Sequence, residues 1–287
     1  LTEDNVSMSK SDDFFNFYFT SALTATDDDP IDINCSSIRP AVLHAVIPTA
    51  QGLILFSRNQ QFIMFSDAEI LTPSSAVIRG ISNFEMDANI DPVDVGTHIN
   101  FVSKTPSYTR IFGMQTRGSE ESPQVMDIGK VISEWVPDTV NSLLSSPQNS
   151  LIALYGDNRA TYVGDNKMYL HKTYSVGDKM IMQAWFNWEL PGNIQHAAID
   201  SDTMWVVLEY SGKYVLASAS LTQTPEEAII VNSDGQQVNP HMDLYGAVSS
   251  MTYDATNNLT KCFLPTGYDD NENLTPVLLI KGEDGFT

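Results

Sequence analysis

The side chains best equipped for chemistry in this chain are its carboxylates: 36 Asp and Glu stand against 15 Lys and Arg, a formal charge of −21. Two runs are dense enough to offer several oxygens to a hard cation. One is Asp27-Asp28-Asp29 ahead of Pro30, the other Asp269-Asp270-Asn271-Glu272-Asn273 between Gly267 and Pro276. The second lacks the glycine that a helix-loop-helix calcium loop requires at its sixth position, where Leu274 stands. Turn chemistry alone gathers Asp and Asn in loops, so solvated loop acids are the expectation for both. A carboxylate pair for glycoside hydrolysis need not be close in sequence, and that chemistry stays open as an alternative. His44, His98, His171, His196 and His241 never fall at ligand spacing. They read as structural histidines, three of them in strands. Cys35 and Cys262 are too few for a zinc site or a disulfide framework and read as buried free thiols. No nucleophile elbow, H-E-x-x-H, phosphate loop or dinucleotide fingerprint occurs. No catalytic residue, metal or cofactor is expected.

The charge excludes more than it suggests. Affinity for nucleic acid comes mainly from cations that neutralise phosphates, and anionic membranes are held the same way. With 42% apolar and 10% aromatic residues the chain is nevertheless a folded one. No apolar run approaches the roughly 18 residues a membrane helix needs, and no leader-type segment opens the sequence. A start at Leu1 and a turn-like Lys281-Gly282-Glu283-Asp284-Gly285 near the end read as a piece of a longer protein.

One aromatic segment stands apart: Phe14-Phe15-Asn16-Phe17-Tyr18-Phe19. Five rings in six positions cannot all point to one side of a strand. Either the segment is buried on both faces within the chain, or half of it docks on another subunit. Phe14, Phe15, Phe17 and Tyr18 are therefore candidate subunit contacts. Trp185 and Trp188 read as core and edge packing.

The elements that must position these residues are strands. Helical spacing survives only over residues 125–135, and those could equally be strands turning at Gly129. Elsewhere, apolar runs of four to eight residues alternate with Gly, Asn, Asp, Ser and Pro clusters, which predicts an all-β class. Four stretches share one grammar of turn, strand, break and strand. Taking Leu53, Ile99, Leu151 and Met204 as equivalent points gives intervals of 46, 52 and 53 residues. That spacing fits a β-propeller with four-stranded antiparallel blades of about 45–55 residues, with a β-sandwich as the competing architecture. The predicted organisation is a lead-in segment and strand over residues 1–40 and blades over 41–222. Residues 223–287 would hold an insertion and a final or partial blade.

The first 75 or so residues carry a resemblance. Asp4-Asn5-Val6, Met8-Ser9, Asp13-Phe14-Phe15-Asn16-Phe17, Asp29-Pro30-Ile31-Asp32, Leu43-His44-Ala45-Val46, Leu55-Phe56-Ser57 and Ile70-Leu71-Thr72-Pro73 resemble the tail tubular protein B family. These are the nozzle proteins of short-tailed bacteriophages. The resemblance implies a structural virion component, made in the bacterial host cytoplasm and carrying a propeller. It would assemble as a homo-oligomeric six-fold ring below the tail adaptor (gatekeeper) ring, beside tail fibres, as a conduit for genome ejection. It implies no catalytic residues and no membrane anchor. A conduit must not hold the DNA that passes it, and carboxylates repel phosphates over a Debye length of roughly 8 Å. Asp27, Asp28 and Asp29 are accordingly candidate channel-rim acids. The alternative is a virion-borne propeller enzyme or binding module acting on host surface polysaccharide.

Overall fold

The computed structural model describes the chain apart from residues 2, 22, 38–39, 116–122, 158–163, 177–178, 222–229, 232–236, 239–249, 264–280, 283–284 and 287. Among the described residues the fold is all-β, with a single 3-10 turn at Lys130–Ile132. The helical option for residues 125–135 gives way to its alternative. Val125–Asp127 is a strand, the chain bends at Gly129, and only the short 3-10 turn follows. The chain divides into two compact units, Leu1–Trp188 and Glu189–Thr287.

The first unit opens with β1 (Asn5–Met8) and β2 (Ile31–Asn34), an antiparallel pair with Val6 opposite Ile33. Three four-stranded sheets follow, each a meander in which sequence neighbours pair. The first is β3 (Leu43–Thr49), β4 (Gly52–Ser57), β5 (Gln61–Ser66) and β6 (Ala76–Ser82). The second is β7 (Val93–Asp94), β8 (His98–Lys104), β9 (Thr109–Gln115) and β10 (Val125–Asp127). The third is β11 (Thr139–Ser146), β12 (Leu151–Asp157), β13 (Lys167–Val176) and β14 (Lys179–Glu189). At the turn joining β3 to β4, Gly52 sits at φ +141°, and a Cβ there would collide with the Met64 carbonyl of β5. Only glycine turns the chain at that point without strain.

Period-two alternation then decides where the core lies. In the first sheet Leu55, Phe62 and Met64 point one way, toward Val6 and Ile31 of the β1–β2 pair. Ile54, Phe56 and Ile63 point the other way, against Ile99, Phe101 and Met114 of the second sheet. The opposite face of the second sheet sends Val102 and Ile111 against Leu143, Ile152 and Leu154 of the third. Phe101 is the ring that closes the first of these interfaces, with centroids 5.6 Å from Phe56 and 5.3 Å from Phe112. A sheet covered on both faces loses the polar-out half of its pattern, which is why the central strands read as unbroken apolar runs.

In the second unit β15 (Asn193–Asp200), β16 (Thr203–Tyr210) and β17 (Lys213–Ser220) form a three-stranded antiparallel sheet. Ile194, Ala197, Met204, Val206 and Leu208 are its buried residues. Beyond it the described pieces are paired strands, β18 (Ile230–Val231) with β19 (Gln237–Val238), β20 (Ser250–Asp254) with β21 (Leu259–Phe263), and β22 (Lys281–Gly282) with β23 (Gly285–Phe286). One thiol expectation needs correcting: Cys35 is buried under the first sheet, but Cys262 is exposed. It lies on β21, whose described residues are all exposed, so period-two burial never applies to it. Burial, with the Asp4 charge adding to it, pushes the Cys35 thiol up to about 11.

Candidate functional site

The aromatic segment sits in the long connection between β1 and β2, and it is neither a strand nor buried. Phe14, Phe15, Phe17, Tyr18 and Phe19 are exposed by 82%, 94%, 53%, 85% and 51%. Burial on both faces within the chain is thereby excluded. The local reason is turn chemistry: Asp12, Asp13 and Asn16 are turn formers, and Asp12 takes a left-handed φ of +61°. The Lys10 N–H donates to the Asn16 carbonyl at 2.8 Å, and the Asn16 N–H donates to the Asp13 carbonyl at 3.1 Å. The chain is thus folded back before the rings can extend.

What holds the loop is a single buried carboxylate. Asp29 Oδ1 accepts from the Thr20 hydroxyl at 2.6 Å and the Thr20 N–H at 2.9 Å, while Oδ2 accepts from the Thr26 N–H at 2.8 Å. Lys10 Nζ lies 3.7 Å from Oδ1 and donates to Thr20 Oγ1 at 2.6 Å. The Thr20 hydroxyl first, then the Thr26 and Thr20 N–H groups, hold the Asp29 carboxyl well below the usual carboxylate range. The anchor therefore stays ionised through any physiological pH. Asp27 and Asp28 beside it are exposed, whereas Asp29 turns inward. Of the three consecutive acids, two present charge to solvent and one fastens the loop.

Chemically the arrangement is an exposed apolar surface held on an ionised anchor. Aromatic side chains offer roughly 200 Å² each, so these five expose on the order of 700 Å². A monomer's largest apolar patch is usually about 300–600 Å², and one partner's share of a standard interface is about 800 Å². Because the hydrogen bonds to Asp29 already order the loop, docking would cost less entropy than docking a mobile segment. Among the described residues no group of His, Cys, Asp and Glu could hold a metal ion. Among them, too, no helix is long and apolar enough to cross a membrane. The acidic run at residues 269–273 and His241 lie outside the described residues.

The histidines separate by environment. His44 and His196 are exposed on β3 and β15, and among the described histidines only His171 is buried, on β13. Trp185 is half-buried, packs into the core between the second and third sheets and donates its indole N–H to the Ile128 carbonyl at 3.0 Å, as its core reading requires. The Asp29 anchor was not visible in the sequence. Its partners stand three and nine residues away, in no spacing that marks a motif.

The family model for bacteriophage nozzle proteins matches residues 1–287. The chain belongs to that family. Among curated proteins, this nozzle-family chain is 26% identical over 294 residues to the tail tubular protein gp12 of Escherichia phage T7. The match covers 100% of the chain and 35% of that relative's length. The nozzle chain thus spans about a third of the curated relative it matches, and its exposed aromatic loop lies inside the matched region.

Proposed function

We propose that this region is part of a tail nozzle subunit, a structural component of the virion through which the genome passes into the host. The observation that carries the reading is the whole-chain family match, joined to consecutive meander sheets packed face to face. Stacked four-stranded meanders are the way propeller blades bury their faces, and we read the sheets as blades around an axis. The markers Leu53, Ile99, Leu151 and Met204 all fall on the second strand of their sheets, which supports a repeating unit. Copies would join in a closed ring, six-fold by the family resemblance, with Phe14, Phe15, Phe17 and Tyr18 on the neighbouring subunit. The adaptor ring and tail fibres would be its neighbours in the virion after assembly in the host cytoplasm. DNA would pass without specific binding, past exposed acids such as Asp27 and Asp28. Asp29 would serve that rim only indirectly, by fixing the turn that carries them.

The pocket between the second and third sheets lends nothing to the alternative of a polysaccharide-acting enzyme or binding module. The cavity between the second and third sheets, about 30 Å³, is far smaller than a sugar site needs. The test is genome ejection from virions carrying Asp27→Asn with Asp28→Asn. Loss of two lumen carboxylates should slow ejection, more so at low ionic strength where screening is weak. Ejection at the unaltered rate would remove these acids from the channel wall.

A further inference from the structure

The second and third sheets do not meet through hydrocarbon alone. Between them lies a cavity of about 30 Å³ lined on one side by Thr97, His98 and Asn100 and on the other by Ser150, His171 and Thr173. His171 is 4% exposed, and its Nε2 is buried with no hydrogen-bond partner. The same ring stacks on Trp185 of β14, with centroids 4.6 Å apart. On the facing wall, the His98 Nδ1 is 2.9 Å from the Thr97 hydroxyl. A buried imidazole nitrogen without a partner is costly, and such groups in native folds usually mark a bound water or a functional ionisation. The space suffices for one water, and the lining supplies the two to four polar partners that a buried water needs.

We propose that this pocket is a hydrated proton-binding site joining the second and third sheets. One water hydrogen-bonds to His171 Nε2 while the ring is neutral, and protonation of His171 loosens the two sheets from each other. The groups facing His171 are His98 from β8, Gln183 and Trp185 from β14, and the hydroxyls of Ser150 and Thr173. Among the described residues, no carboxylate lines this pocket. A proton taken up here therefore meets another imidazole and no counter-charge. Burial first, then the His98 charge, pulls the His171 imidazole down to about 4, with the Gln183 hydrogen bond opposing. The sign follows from linkage. The folded state resists protonation, so the pocket's stabilisation is complete above the ordinary histidine range and is lost as pH falls from about 6.5 toward about 4.

The experiment is a proton NMR titration of the histidine ring resonances, the His171 signal being the one lost in His171→Phe, combined with urea unfolding between pH 4 and 8. The wild-type His171 signal should titrate well below 6.5, and the unfolding constant should shift on the order of a hundredfold across that window. In His171→Phe, which keeps the volume and cannot titrate, most of that shift should vanish. A His171 midpoint at the ordinary value, or the same pH dependence in the variant, would overturn the proposal. Should the phenylalanine variant not fold, the His171 signal is assigned instead by its through-space contact with the Trp185 ring, and the wild-type titration decides. Crystals grown at neutral pH should show water density within hydrogen-bonding distance of Nε2, and a dry pocket would overturn the hydrated site.

Discussion

Replacing Phe15 by Ala separates display from scaffold more sharply than any other single change. Phe15 is 94% exposed, so the fold gives up almost nothing, and stability should stay within about 0.5 kcal/mol. In an assembly the same ring would bury most of its roughly 200 Å², worth up to about 5 kcal/mol at about 25 cal/mol per Å². Alanine keeps part of that area, and side-chain ordering offsets another part, leaving a net loss of about 3 kcal/mol per interface. Each subunit contact should then weaken by roughly a hundredfold. The assay is sedimentation velocity of the full-length polypeptide over a concentration series, with thermal unfolding as the control for folding. The assembly midpoint should move to much higher concentration while the melting temperature holds. An unmoved midpoint, for Phe15→Ala and for Phe14, Phe15 and Tyr18 changed together, would refute the assignment of this loop to subunit contact.

Two further expectations concern the scaffold. Phe101 and Val102 are neighbours on β8 that face different sheets, so Phe101→Ala should cost about 3–5 kcal/mol and Val102→Ala about 2 kcal/mol in urea unfolding. A negligible cost at either one would mean that its face of the second sheet is not packed. Cys262 should react with a thiol reagent in the native protein, whereas Cys35, buried and with its thiol pushed up to about 11, should label only on unfolding. Equal labelling rates in the native state would contradict both placements.

What could be read from sequence follows the burial of each strand. Leu53, Ile99, Leu151 and Met204 lie on β4, β8, β12 and β16, interior strands whose neighbours pair with them on both sides. Their apolar runs are dense, and their repeat was visible in the letters alone. Of the flanking strands, β3, β14 and β17 also stood out as apolar runs, whereas β7, β11 and β15 did not. Thr139–Ser146 carries five Ser, Thr and Asn residues among its eight, and Asn193-Ile194-Gln195-His196-Ala197-Ala198-Ile199-Asp200 keeps no period-two alternation, so neither announces itself against turn-rich surroundings. Val93–Asp94 is two residues long and carries no pattern at all. The aromatic segment left two options open for a different reason. Ring density suggested burial, but the turn residues around it govern the backbone, and a carboxylate outside any motif fixes the result.

The division of labour inside that loop has a consequence for how it can change over time. Its shape depends on Lys10, Thr20, Thr26 and Asp29, none of which belongs to the outward-facing rings. The mounting and the thing mounted are thus written in separate letters. Rings can be swapped, resized or lost without unfastening the frame, whereas a change at Asp29 would release every one of them at once. The exposed rings are therefore free to drift quickly on a frame that is not.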